Sequence, residues 1–408
     1  MKPMGPVPAG FETRDGELVI GGKTASELAE LAGDTPFFAY SRAMIERRVA
    51  SLRAAMPERL RLHYAMKANP FVPLLQLLAG LVDGFDVASG GELRVALEAG
   101  ANARAISFAG PGKRDAEIEA AIGAGVTLNL ESEGEARRAL AIGQRLGIAP
   151  RLAIRVNPAF ELRGSGMKMG GGAKPFGVDE ARVPVLAREV IDAGAEWRGL
   201  HVYAGSQALD AQAMIEAQAN TLDCAVRLTR AIGEPLPHLN MGGGFGIPYF
   251  AKDTPLDIDA VGRALSKRLA DLPGELAGTE LAIELGRYLV GEAGVYLTRV
   301  LDRKESHGSV FLVTDGGLHH QLAASGNFGT VVRRNYPLAV ATRFVAEPEE
   351  VVDVVGCLCT PLDRLGDQVL LPKAEPGDLV AVFCAGAYGA TASPAAFLGH
   401  GPAGEILV

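Results

Sequence analysis

Lys67 closes a strand-like run, LRLHYAM, and sits in the stretch YAMKANP from Tyr64 to Pro70, with small and turn-forming residues after it. An ammonium at the C-terminal end of a barrel strand is placed to act as a nucleophilic amine; a solvated lysine at a strand end is the plain alternative. Gly242, Gly243 and Gly244 follow the strand-like HLNM. With no side chains in the way, their backbone N–H groups can come close to a phosphate, although a triple glycine is usually only a turn. Glu284 ends LAIE at another strand terminus, where an inward carboxylate is costly, and its bland reading is a structural salt bridge. Asp315 in TDGGLHH could face a substrate, yet Asp-Gly-Gly is also ordinary turn chemistry. His319 and His320 have no HxH or HExxH spacing, so the sequence gives no metal site.

Groups of this kind need strands to hold them. From about Thr35 to Gly286, β-type runs alternate with helical patterns, as βα units of a parallel sheet do. The strand candidates LHYAM, GFDVA, AISFA, VTLNL, LAIRV, GLHVY, HLNMG and LAIEL predict a (β/α)8 barrel over 35–287. After Gly291, short strands (VYLTRVLDRK, VFLVTDGG, VVDVVG, QVLLP, DLVAVFC) alternate with Gly, Pro and Asp turns, which suits an all-β barrel or sandwich. In the lead-in, ELVIGGK reads as a strand and ASELAELAG as a helix. Gly164 to Lys174 is the most glycine-rich stretch and the expected mobile loop.

The chain of 408 residues, 48% hydrophobic, is long enough for two domains and a large core. A net charge of -8 with interspersed signs disfavours nucleic acid or an anionic membrane surface as partner. Four cysteines form neither a disulfide framework nor paired CxxC groups. Without an apolar leader or an apolar run of spanning length, the expectation is a cytoplasmic protein.

YAMKANP, GFDVASGGEL, HVYAGSQ, GGGFGIPY, ELGRYLV, CLCTPLD and AGAYG follow one another in a fixed order from Tyr64 to Gly389. That series resembles the fold-type III pyridoxal-phosphate decarboxylases, the group of diaminopimelate, ornithine and arginine decarboxylases, over nearly the whole chain. The resemblance implies an alanine-racemase-type TIM barrel with a C-terminal, Greek-key-like β domain that also takes in residues 1–34. It implies pyridoxal 5'-phosphate as cofactor, and removal of an α-carboxylate by way of an external aldimine and a quinonoid. Lys67 then carries the Schiff base, Glu284 meets the pyridine nitrogen, and His201 stacks on the ring. The phosphate falls to Gly242, Gly243 and Gly244 with hydroxyls from Ser206 and Tyr388, and Arg287 binds phosphate or a substrate carboxylate. Asp86 and Arg155 match positions around the cofactor; each could equally be a member of a buried ion pair. Cys359 matches the thiol offered across a homodimer interface to return a proton to Cα, with Thr360 and Asp363 of the same motif and Asp315 facing substrate. Cys357 reads as packing.

Where diaminopimelate decarboxylases place a glutamate after that cysteine, this chain has Thr360, and VVRRNYPL lacks their Arg-Pro spacing. GMKMGG, DGGLHH, RRNYP, CTPLD and SPAAFLGH are more similar to two narrower branches: the butirosin-type glutamyl-[acyl-carrier protein] decarboxylases and the exosortase-associated decarboxylases. The expected substrate is an amino acid or a carrier-linked derivative, with Arg333 and Arg334 as docking groups for a carrier or else a solvated pair. Diaminopimelate is the alternative. A racemase is disfavoured because the matched base position offers Cys359 rather than tyrosine. A non-catalytic homologue should have lost Lys67 or Glu284, and a cofactor-free barrel lyase would rest on Glu284 and Asp86.

Overall fold

The computed structural model describes every residue except Arg163, Ser165 and 327–332. Two compact units emerge. One comprises Val49–Gly246 and Pro255–Gly286, the other Met1–Arg48, Ile247–Thr254 and Arg287–Val408. Against the expected division at 35–287, residues 35–48 and Ile247–Thr254 group with the second unit. Their assignment follows from pairing: Phe37–Tyr40 lies antiparallel to the start of the long strand Gly294–Ser306.

In the first unit eight parallel strands close on themselves: β1 (Arg61–Ala65), β2 (Gly84–Val87), β3 (Ile106–Phe108), β4 (Thr127–Leu130), β5 (Arg151–Asn157), β6 (Glu196–Val202), β7 (His238–Gly243) and β8 (Glu280–Leu285). Closure is made by β8 against β1, with Glu284 opposite His63, and by β4 against β5. Each expected barrel strand is present. Alternation sends one set of side chains outward, as with Leu62, Tyr64, Phe85, Leu128 and Ile154, which are buried as the barrel's apolar shell. Helix starts follow local chemistry: Ser89, Ser132 and Asp210 each accept a backbone N–H of the helix they begin. On the strand-start side, His63, Ser107, Asn129, His238 and Asn240 line a cavity of about 280 Å³.

The second unit is mostly sheet. Gly294–Ser306 is its spine, flanked by Leu379–Val382 and Ser309–Thr314 and continued through Glu350–Val355 to Arg364–Leu371. Several short strands escaped the sequence pattern, among them Glu12–Arg14, Phe37–Tyr40, Leu338–Val340, which follows a proline, and the C-terminal Gly404–Leu407, which lies parallel to Phe37–Tyr40. The glycine-rich Gly164–Lys174 is not wholly loop, because Met167–Lys168 pairs with Gly205–Ser206; Ser165 of that stretch, and Val331 and Val332 of VVRRNYPL, lie outside the described residues. No helix among the described residues is long and apolar enough to cross a membrane.

Candidate active site

Strand β1 delivers Lys67 one step past its end, in the single 3-10 turn Met66–Ala68. The side chain is half-buried, and its Nζ stands 5.2 Å from the centre of the Tyr203 ring. At the end of β8, Glu284 is buried, and its Oε2 accepts a hydrogen bond from Asn240 Nδ2 at 3.0 Å. His201 Nε2 on β6 is 3.1 Å from the same oxygen; the distance is that of an ion pair, but the direction is not that of a hydrogen bond. Burial alone would push the Glu284 pKa up, and the His201 and Lys67 charges outweigh it and hold the carboxyl below its ordinary range. The site therefore keeps an anion at the barrel mouth.

Asp86 on β2 is buried with both carboxylate oxygens lacking a hydrogen bond, and His63 Nδ1 lies 3.4 Å away. Burial would lower the His63 pKa, but the Asp86 carboxylate turns the shift upward. Arg155 on β5 donates to Glu131 Oε1 at 2.8 Å, and its guanidinium stands 5.0 Å from the centre of the Phe176 ring. Arg155 is thus paired with the buried Glu131.

The glycine turn is required by packing as well as by any ligand. A Cβ on Gly243 would come 1.8 Å from Glu284 O, and Gly242 and Gly244 have φ of 69° and 91°. Asn240 bridges this turn to Glu284, since its Oδ1 accepts the Gly242 N–H at 2.8 Å. Ser206 is buried in the short strand Gly205–Ser206, which packs against the turn, since a Cβ on Gly244 would come 2.3 Å from Gly205 O. The barrel unit so brings together Lys67, His201, Glu284 and the Asn240–Gly242 link, with Asp86, Arg155 and Ser206 on other strands of the same unit.

In the sheet unit, Arg287 donates to the Tyr249 hydroxyl at 2.7 Å and lies 4.6 Å from the centre of the Tyr388 ring. Tyr388 holds φ at 59°, a left-handed backbone that non-glycine residues rarely adopt. The Cys359 thiol is exposed. Thr360 Oγ1 accepts the Leu362 N–H at 3.3 Å. Two residues expected against substrate accept hydrogen bonds from the fold. Asp363 accepts Leu318 N–H at 2.6 Å and Leu358 N–H at 2.8 Å, and Asp315 accepts from Thr298, the Arg299 N–H and Thr35.

An amine, an anionic carboxylate with an imidazole beside it, a glycine turn, and unmet polar atoms on Asp86 and His201 fit an aldehyde cofactor with a basic ring nitrogen and a phosphate. His63, Tyr203, Glu131 and Asn240 were missed in the sequence. Position could have found two of them: His63 is four residues before Lys67, on the strand that leads to it, and Asn240 is two before Gly242.

Residues 42–291 match the family model described as the pyridoxal binding domain of pyridoxal-dependent decarboxylases. The chain is 37% identical over 380 residues to the L-glutamyl-[BtrI acyl-carrier protein] decarboxylase of Niallia circulans, spanning 92% of this chain and 89% of that protein. It is 34% identical over 404 residues to diaminopimelate decarboxylase of Archaeoglobus fulgidus, spanning 98% and 93%. Among solved structures, diaminopimelate decarboxylase from M. jannaschii in complex with L-lysine superposes with a TM-score of 0.87 at 28% identity, over 98% of this chain and 93% of that one.

Proposed function

The chain belongs to the pyridoxal-dependent decarboxylases and is an amino-acid decarboxylase with pyridoxal phosphate as cofactor; within that family we propose that its substrate is an amino acid modified on its side chain, presented by an acyl-carrier protein. The observation that carries this is the residue after Cys359, a threonine rather than a carboxylate, together with the hydrogen bonds that the two carboxylates expected against substrate already make. Thr360 follows the thiol, and Asp315 and Asp363 are occupied by the fold. A free diamino acid would bring a distal ammonium with no anion there to meet it. The Niallia circulans relative, named for a carrier-linked glutamyl substrate, points the same way.

The residues divide the work by chemistry. Lys67 would hold the cofactor's aldehyde and, once substrate takes that place, stay as a nearby amine. Glu284 would keep a proton on the ring nitrogen, helped by Asn240, while His201 would lie against the ring. The amides of Gly242, Gly243 and Gly244, with Ser206, Tyr388 and Arg287, would receive the phosphate; Arg287 also suits a substrate carboxylate. When bound, the cofactor supplies the electron sink for the pair left by departing CO2. Cys359 would return a proton to Cα. Asp86 and Arg155 would shape the cofactor's surroundings.

We place the enzyme in the cytoplasm as a homodimer that shares its sites. For the carrier, we propose docking at Arg333, Arg334 and Lys252, which line a cavity of about 540 Å³ in the sheet unit, with Arg334 stacked 3.7 Å from the centre of the Phe250 ring.

The deciding experiment measures CO2 release by the cofactor-loaded protein. Substrates are free L- and D-diaminopimelate, lysine, ornithine, arginine and glutamate beside glutamyl-carrier protein, with Lys67→Ala as control. Turnover confined to the carrier-linked substrate supports the proposal; efficient turnover of free diaminopimelate replaces it.

A further inference from the structure

Three side chains far apart in sequence meet in the sheet unit: His319, Cys357 and His400, whose donor atoms all lie within 4.8 Å of one another. We propose that they form a binding site for a late first-row divalent metal ion, zinc being the best match to two imidazoles and a thiolate. Adjacent histidines 319 and 320 offered no such pattern in the sequence, because the folding of two distant segments supplies the other ligands.

His319 is wholly buried, and neither of its ring nitrogens has a hydrogen bond. A buried imidazole without partners is an incomplete arrangement, and a bound ion would complete it. Cys357 Sγ lies 3.9 Å from His400 Nε2. Tetrahedral zinc with ordinary bond lengths would set that separation at about 3.6 Å. Ligation needs the Cys357 thiolate, so binding releases the thiol proton to solvent as the Zn–S bond forms. Exposed His400 gives the ion a way in and leaves a fourth position for water.

Two devices outside the ligand set hold the three segments in place. Asp363 accepts the N–H of Leu318, next to His319, and of Leu358, next to Cys357, tying those segments together. At Gly317 and Gly356 a Cβ would come 2.1 and 2.2 Å from the Asp363 carboxylate, so glycine is what lets this clamp seat. His320 bonds on both sides, with Nδ1 3.0 Å from the Tyr296 hydroxyl and Nε2 3.0 Å from Gly401 O, beside His400. Nε2 then carries the proton, and Nδ1 accepts from the tyrosine. Partners that orient ligands in this way are a regular part of metal sites. An ion here would join the C-terminal segment to the loop that carries Cys359.

The test titrates zinc into chelator-stripped, cofactor-loaded protein against a chromophoric chelator, for wild type, Cys357→Ser and His400→Gln. Because His400 is exposed, His400→Gln keeps its fold, and the cofactor absorption of every variant reports an intact barrel site separately. The expected result is one zinc per chain, weakened at least ~10-fold in each variant, the scale that loss of even an outer partner produces. Cobalt should add a thiolate charge-transfer band that Cys357→Ser lacks. Zinc bound no more tightly by wild type than by Cys357→Ser, or equally by His400→Gln, overturns the proposal.

Discussion

Replacing Asp363 separates two roles for one carboxylate. Its side chain is only 2% exposed, and its oxygens take two backbone N–H groups that have no other acceptor in the sheet unit. In Asp363→Ala both donors are orphaned, at about 1–3 kcal/mol each, or roughly 2–6 kcal/mol together. For a domain of this size the melting temperature should fall by roughly 5–20 °C. Asp363→Asn keeps one acceptor and turns an NH2 toward the other donor, so about half that loss is expected. Differential scanning calorimetry of the cofactor-loaded proteins measures both.

The same substitution has a signature in pH. Burial raises the Asp363 pKa, and the two amide hydrogen bonds only partly offset it. A carboxyl whose folded pKa is raised binds its proton more tightly in the native state, so wild type gains stability as pH falls through the folded value, down to the unfolded value near ~3.9. Asp363→Asn has no proton to bind, so the wild-type advantage should widen over that interval. An unchanged melting temperature with a raised KM would refute this reasoning and return Asp363 to the substrate.

Lys67→Ala should lose both CO2 release and the absorption of bound pyridoxal phosphate, checked by spectroscopy and a coupled CO2 assay. Asn240→Ala removes a hydrogen bond to a charged carboxylate worth ~1.5–3 kcal/mol, so kcat/KM should drop roughly 10–150-fold while the melting temperature moves less than in Asp363→Ala. His63, whose folded pKa is raised by Asp86, contributes stability that is full below its unfolded pKa of about 6.5 and is lost as pH rises through the folded value. Urea titrations should therefore show the gap between wild type and His63→Gln closing on the alkaline side. Thr360→Glu should raise turnover of free diaminopimelate relative to a carrier-linked substrate, measured in parallel CO2 assays.

The barrel was legible because its strands are short apolar runs at regular spacing, and the positions that matter in it stand at strand ends. The strand-end places of Lys67 and Glu284 could be read that way. The hydrogen-bond partners of Asp315 and Asp363 could not. A carboxylate that braces a loop and one that meets a substrate are the same letter, and only the partners within hydrogen-bond distance separate them. The His319, Cys357 and His400 cluster was hidden for a different reason. Its ligands come from three segments whose meeting depends on the sheet unit's topology, and no local spacing encodes that.

Barrel strands also carried a signal that was only half used. Each of the eight contains at least one buried polar residue: His63, Asp86, Ser107, Asn129, Arg155, His201, Asn240 and Glu284 are examples. An apolar barrel interior would be cheaper, so polar groups recurring on every strand need a reason. Hydrogen bonds supply part of it, as between Asn129 and Ser107 at 2.5 Å and between Asn240 and Glu284. Polar atoms stay unmet on His63, Asp86 and His201, the last two expected to face a cofactor. A barrel whose polar lining is left partly unmet keeps hydrogen-bonding capacity for a polar guest.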